Sequence, residues 1–381
     1  MLINKNSLPT IKQESWKYTN LAAIYDKNNI SEILKESPQA KDYLEGFKFD
    51  TQENVIIIID GVLAIDYRSK LVPINSLEFN EDIREMSKLA IENSKPFILE
   101  IQKDTKDCLS LIFINTENAK GKLTNIALKL QVDIFANLDL DIDFVNLTSN
   151  SATNLFLDIE LAESAKVNFT NNADNSNNIA LLTTANYLVN LEKNAEFNAF
   201  NLLNSDALLR NDFIVNLNQE GSRFDIRGLY LLNHQAIANA TFLVNHNASN
   251  TYSNVNFRGV VNGSSKAWFN AKAVVAKGVN QIQAFQNNKN IQLSNKAEIN
   301  TKPELVIYSD DVICTHGATI GELDKEALFY LQSRGLSLHD AQHLLLESFV
   351  KSQLTADDFP FDNEIKEEIL ESLDAILDSV I

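Results

Sequence analysis

The chain has 381 residues, 45% of them hydrophobic, with 21 Phe, 9 Tyr and a formal net charge of −18. That apolar content excludes a disordered protein, and the length allows one large domain or two to three modest ones. The negative charge argues against nonspecific binding to nucleic acid or to an anionic membrane, both of which favour basic surfaces. The charge is uneven: residues 321–381 hold 14 acids and 4 bases, whereas residues 151–300 hold 11 of each. Two regions with different jobs are expected. Cys108 and Cys314 form no CxxC pair, so neither a zinc site of ordinary spacing nor a disulfide framework can be read. No signal-peptide h-region and no run of 18 apolar residues occurs, and a reducing, cytoplasmic setting is expected.

In chain order, residues 1–45 read as short helices. Trp16, Tyr18, Leu21 and Ile24 give one apolar stripe, and Ile30-Ser31-Glu32-Ile33-Leu34 starts a second segment. Residues 55–65 are two apolar runs around Asp60-Gly61, a hairpin signal because a type I′ turn needs left-handed residues. Residues 81–93 look helical, and Pro96 breaks the pattern before a strand at 97–101. From about 97 to 313 short strands dominate. Leu138-Asp139-Leu140-Asp141-Ile142-Asp143-Phe144 alternates with period two, which buries one face. A loose repeat of strand, small or polar turn, and strand then recurs, with turns at Ser164-Ala165, Asn194-Ala195, Gly221-Ser222, Ala248-Ser249 and Gly278. Their spacing of roughly 25–30 residues predicts a solenoid. The absence of long helices argues against βαβ crossovers and a β-helix fits best, since each rung hides its inner face only by stacking on its neighbours. Residues 151–300 contain 31 Asn. Stacked Asn ladders at the coil corners would use that amide capacity, and an AT-rich genome would give the same count without them. From 322 onward the sequence turns helical. Asp324 and Ser337 stand at cap positions, Gly335 closes the first helix, and Ile365, Ile369, Leu373, Ile376, Leu377 and Val380 mark an amphipathic last one.

The densest chemical constellation is Asp310-Asp311-Val312-Ile313-Cys314-Thr315-His316-Gly317-Ala318-Thr319-Ile320-Gly321. In an extended segment the Cys314 thiol and the His316 imidazole point to one face, and both are iron ligands or proton and sulfur relays. A buried thiol and a satisfied core histidine would look the same in sequence. Two ligands are too few for a cluster, so any metal would need groups from elsewhere or from a partner. His339 and His343 have metal-compatible i,i+4 spacing without an acidic HExxH context and are expected on a solvated face, and His234 and His246 are expected to be structural. Residues 230–297 carry six Lys or Arg and no acid, either a guide for an anionic partner or a solvated face. No phosphate loop, GxSxG or kinase set is present, so ATP binding is not expected.

Three segments carry a family resemblance. The first runs from Thr301-Lys302-Pro303-Glu304-Leu305 through Cys314-Thr315-His316-Gly317 and Gly321-Glu322-Leu323-Asp324 to Ala327-Leu328-Phe329-Tyr330-Leu331-Gln332-Ser333-Arg334-Gly335. The second is Glu14-Ser15-Trp16-Lys17-Tyr18-Thr19-Asn20-Leu21, and the third joins Leu209-Arg210-Asn211-Asp212 to Gly228-Leu229-Tyr230. Together they resemble the SufB/SufD family of iron–sulfur cluster assembly proteins nearly end to end. Gly317 and Leu331 stand where the SufB type has Glu and Cys, so the chain reads as SufD-like. Thr315, Glu322 and Gln332 depart from the usual Ser, Gln and Arg, which touches interface detail only.

The resemblance implies a mainly β protein: a right-handed parallel β-helix core over 97–320, flanked by helical or mixed residues 1–96 and a helical region 321–381. It further implies a non-catalytic scaffold subunit of a complex with a SufB-like scaffold, through the β-helix, and a SufC-like ABC-type ATPase, through the C-terminal helices. His316 matches the family's functional histidine and Cys314 its neighbour, with metal ligation shared with the partner. No cofactor is expected in the isolated chain, a transient Fe–S cluster belongs to the complex, and both a flavin in the complex and a homodimer of the isolated chain stay open. A β-helix polysaccharide lyase is the enzymatic rival, disfavoured by the acid-free stretch, and a purely structural homo-oligomeric solenoid is the third reading.

Overall fold

The computed structural model describes residues 1–35, 54–66, 72–74, 76–77, 83–173, 182–204, 207–355, 359–361 and 363–380. The helical expectations over 36–45 and at 81–82 lie outside them.

Alternating sequence with small corner residues folds here into two facing sheets. Sheet A takes, in spatial order, β4 (Val72–Pro73), β5 (Phe97–Ile101), β7 (Lys122–Val132), β9 (Ala152–Leu161), β11 (Leu182–Leu191), β13 (Leu208–Leu217), β15 (Ile237–His246), β17 (Lys266–Val275) and β19 (Glu298–Ile307), with β1 (Glu32–Ile33) paired to β7. Sheet B takes β3 (Val62–Asp66), β2 (Val55–Ile59), β6 (Lys106–Asn115), β8 (Asn137–Asn146), β10 (Lys166–Ala173), β12 (Glu196–Leu203), β14 (Arg223–Leu232), β16 (Tyr252–Val261), β18 (Ile282–Gln292) and β20 (Val312–Gly321). From β5 on, consecutive strands alternate between the sheets and pair in parallel with the strand one coil away. The result is the expected β-helix, a solenoid of about 7 turns. The coil length runs from 26 residues, with Leu182 opposite Leu208, to 32, with Lys266 opposite Glu298.

Inward-facing residues of both sheets form one core, with aromatic side chains stacked from coil to coil. Ring centroids lie 4.4 Å apart for Tyr187 and Phe213 and 5.4 Å apart for Phe213 and Phe242. The five turns read from the sequence are all corners leading from sheet A to sheet B. At corners of this kind a small residue turns inward, as Ala136 between β7 and β8 and Ala165, Ala195 and Ser222 at the turns read from the sequence, all fully buried. Their backbone N–H groups close the turn onto Asp133, Ala162, Glu192 and Gln219.

Asn ladders are present, but they run mainly through the strands. Asn245 donates to Asn216 and Asn216 to Asn190, both at 2.8 Å, while Asn198 donates to Asn168 (3.1 Å) and Asn168 to Asp139 (2.8 Å). Each amide gives its N–H to the preceding coil. Asp139, an acceptor only, ends its ladder, which accounts for a carboxylate on the wet face of β8. The Asn247 to Asn218 bond, at 3.1 Å, sits at a corner.

The two ends differ. At the N-terminal end β3 turns back antiparallel on β2, and β4 on β5, so neither sheet ends in a long parallel edge. The Asp60-Gly61 turn has φ values of 51° and 78°, as the sequence predicted. At the C-terminal end β19 and β20 are the last strands of their sheets. The helix expected to start at Ile30 is instead β1. Helix α1 (Leu21–Lys27) is capped by the Asn20 side chain, and α2 (Glu85–Glu92) buries Met86, Leu89 and Ala90.

The C-terminal helices start at their expected caps. Asp324 accepts from Glu326 and Ala327 at the start of α3 (Lys325–Ser333), and Ser337 accepts from Asp340 in α4 (Leu338–Lys351). α4 and α5 (Asn363–Val380) spend their apolar faces on sheet B: Leu346, Val350, Leu373 and Leu377 pack with Phe200, Leu202, Leu229, Leu231 and Val260. α3 buries no residue.

Candidate functional site

Cys314 and His316 lie on β20. Ladder register sets Cys314 over Ala284 and His316 over Gln286, and both of those β18 residues are buried inside the solenoid. The thiol and imidazole therefore occupy inward-facing positions, about 6.6 Å apart along the strand at 3.3 Å per residue. Among the described residues no further coil covers them, and His316 is exposed. Cys314 is half-buried against Val275, Val279 and Ile282, and this burial pushes its thiol above the ordinary range, opposed by a backbone hydrogen bond at Ala284. Less thiolate near neutral pH would weaken Cys314 as a nucleophile or metal ligand.

The inner lining changes character on approach to this end. Gln286, Asn288 and Asn290 follow Val255, Phe257 and Gly259 in the same columns. Asn288 donates to the Tyr230 hydroxyl at 3.0 Å, and Asn290 donates to Asn288 at 2.8 Å and to the Thr319 carbonyl at 3.0 Å. Gly259 makes room for this layer, because a Cβ there would fall 1.9 Å from the Tyr230 ring. The terminal coil also exposes Ile307, Tyr308, Ile313 and Ile320.

The remaining histidines go elsewhere. His246 is buried, with Thr251 at 2.8 Å from Nδ1 and Ser253 at 2.9 Å from Nε2, and burial lowers its pKa to about 4. His234 occupies a left-handed turn position, φ 56°. His339 is exposed, whereas His343 is half-buried, its Nε2 3.2 Å from Asp378 on α5. Among the described residues no group of three or more His, Cys, Asp or Glu could hold a metal ion.

The basic stretch over 230–297 does not make one patch. Arg258 faces out of sheet B and binds the Phe349 carbonyl and Ser352 hydroxyl of the C-terminal region, while Lys266 on β17 pairs with Glu298 at 2.9 Å. Phe329 and Tyr330 of α3 are 74% and 57% exposed.

The second and third resemblance segments meet in space. The Arg210 guanidinium lies 3.7 Å over the Trp16 ring and is held by Asp212 at 2.8 and 2.9 Å, with Arg84 2.6 Å from Asp212. Farther along, Asn239 donates to Thr19 at 3.2 Å, Tyr18 stacks on Trp268 at 5.9 Å, and Glu14 pairs with Lys302. Residues 14–19 thus strap the outer face of sheet A from β13 to β19. Sequence reasoning missed this strap, although both of its ends stood in the quoted segments.

A two-sheet parallel solenoid with a Cys-x-His on its last coil defines a class of protein, and comparison with known sequences agrees. Residues 113–349 match the SUF system FeS cluster assembly SufBD core domain, and the chain belongs to that family. The chain is 26% identical to the iron–sulfur cluster assembly protein SufD of Escherichia coli over 91% of its length and 84% of that protein. It is equally 26% identical to an iron–sulfur cluster assembly SufBD family protein of Synechocystis, over 91% of this chain and 83% of the relative. A 39% identical match to the chloroplastic protein ABCI7 of Arabidopsis thaliana covers 24% of the chain and 19% of that protein. It is therefore a SufD homologue. Among the described residues no helix is long and apolar enough to cross a membrane.

Proposed function

We propose that this chain is a non-catalytic scaffold subunit that supports nascent Fe–S cluster formation, with His316 as its direct contribution and Cys314 secondary. One observation carries the reading. The side-chain column that holds His316 is buried in the coils below it and open in the last one. A neutral imidazole at an open, inward-facing position can ligate iron or carry a proton near neutral pH. A single chain offers too few ligands to hold a cluster alone, and a second scaffold, SufB-like, would supply the rest across the free β19 and β20 edges. Unpaired parallel edges flanked by Ile313 and Ile320 suit the addition of another β-helix.

The SufC-like ATPase would dock on α3 and the adjoining start of α4, where Phe329, Tyr330, Leu338 and Leu344 are exposed. That narrows the C-terminal docking region to the part whose apolar side chains the solenoid leaves free. Anaerobic co-expression with SufB-like and SufC-like partners, followed by absorbance and metal analysis, tests the assignment. The expected result is cluster in the wild-type complex and little in the complex carrying His316→Ala. Equal cluster content in both would remove His316 from the mechanism.

A further inference from the structure

The inner column that ends at His316 reads Leu140, Phe169, Ala199, Ile226 and Val255 in successive coils, then Gln286, then His316. Buried apolar residues precede one buried amide, and that amide stands one ladder step below His316 in register. Gln286 is 4% exposed. Its Nε2 donates to the Glu304 backbone carbonyl at 3.2 Å, and since only the NH2 end can donate to a carbonyl, the orientation of the amide is fixed. The Oε1 is then left buried with no hydrogen-bond partner among the described residues. Its neighbours in the polar layer do not share this state, because Asn288 and Asn290 bond to each other, to Tyr230 and to backbone carbonyls.

We propose that Gln286 is a positioning residue for His316, its side-chain carbonyl accepting a hydrogen bond from one imidazole N–H and so fixing the tautomer. Strands one ladder step apart are about 4.8 Å apart, within reach of a glutamine side chain. With one ring nitrogen committed downward as a donor, the other carries its lone pair toward the open end, where an iron or a proton would arrive. Histidines that bind metals are commonly oriented in this way by an acceptor on their far nitrogen. The inference rests on the reading of His316 given above and adds the residue that aims it.

The test uses the full chain with ¹⁵N-labelled histidine and long-range ¹H–¹⁵N spectra, the His316 signals being assigned by their loss in His316→Gln. Wild type is expected to show a single His316 tautomer. Gln286→Met, apolar and of similar shape, should give a mixture of both. Gln286→Glu, which keeps an acceptor at the same place, should restore the single form, and a purely packing role would not produce that rescue. An unchanged His316 spectrum in Gln286→Met, or a mixture already present in wild type, overturns the inference whatever His316→Ala does to cluster formation. A tautomer lost in Gln286→Met and regained in Gln286→Glu upholds the pair even if His316→Ala still matures clusters, and in that case the role given to His316 falls instead.

Discussion

His316 and Cys314 share a strand and a face but not an environment, and substitutions should separate them. His316→Ala removes an exposed ring that supports no packing, so folding and complex formation are expected to survive while most cluster formation in cells is lost. Cys314→Ser should be milder, since the thiol is half-buried and held mostly protonated. His339→Ala and His343→Ala should mature clusters like wild type, and in-cell activity of a cluster-dependent reporter checks all four. A second residue-scale expectation concerns Asp158, which burial raises to about 6 against the pull of Lys129 at 3.6 Å. A carboxyl raised in the folded state contributes stability in its protonated form, present below about pH 4 and lost as pH rises through 6. Asp158→Asn keeps the neutral form at every pH, so it should stabilise the protein by on the order of 1–2 kcal/mol at pH 8. That gain should shrink toward pH 5.5, as urea midpoints would report, and a gain independent of pH would contradict the assignment.

At the scale of elements, the strap and the C-terminal helices are both pinned to the outside of the solenoid, by different means. Trp16 is fully buried over Arg210, so Trp16→Ala should cost about 3–5 kcal/mol and loosen the strap from β13 toward β19. Hydrogen exchange along residues 208–217 and 298–307 measures it. Truncation at Gly335 is a poor test of ATPase docking, because it would strip α4 and α5 from Phe200, Leu229 and Val260. Phe329→Asp with Tyr330→Asp is the sharper one: on α3, which buries nothing, the pair should abolish ATPase binding and leave the melting curve unchanged. Much of this layer was legible in sequence. Period-two alternation, the Asp60-Gly61 turn and the caps Asp324 and Ser337 act within a few residues, so local pattern reveals them. The missed features depend on distant partners. Ile30, Ile33 and Leu34 have helical spacing, yet Ile33 pairs with Leu123. The return corner at 233–236 carries no glycine and takes its left-handed step at His234, so no turn glycine marks it in the sequence. Cys314 and His316 stood out in sequence through a family signature. Gln286 belongs to no motif and gains meaning only from the coil above it.

Among the described residues the molecule is asymmetric along its axis, stapled by antiparallel strands at one end and bare at the other. Association is therefore expected at the bare end. Ile313→Lys with Ile320→Lys should abolish pairing with a SufB-like scaffold, and any self-pairing of the isolated chain, without lowering its melting temperature. Sedimentation velocity of the wild type and the double variant checks this.

The same asymmetry bears on how the chain acquires its shape. Translation delivers the stapled end first, at about 5–20 residues per second, and each later coil finds a finished template on which to settle. Structure can grow in the order of synthesis, like a zip closed from its fixed stop. The coil bearing His316 is the last of the solenoid to leave the ribosome and has a neighbour on one side only. Refolding followed by pulsed hydrogen exchange should protect β7 and β9 before β19 and β20. The tip would then stay unsealed until another subunit arrived, and under the proposed scaffold pairing the catching of that partner would be the final step of folding itself.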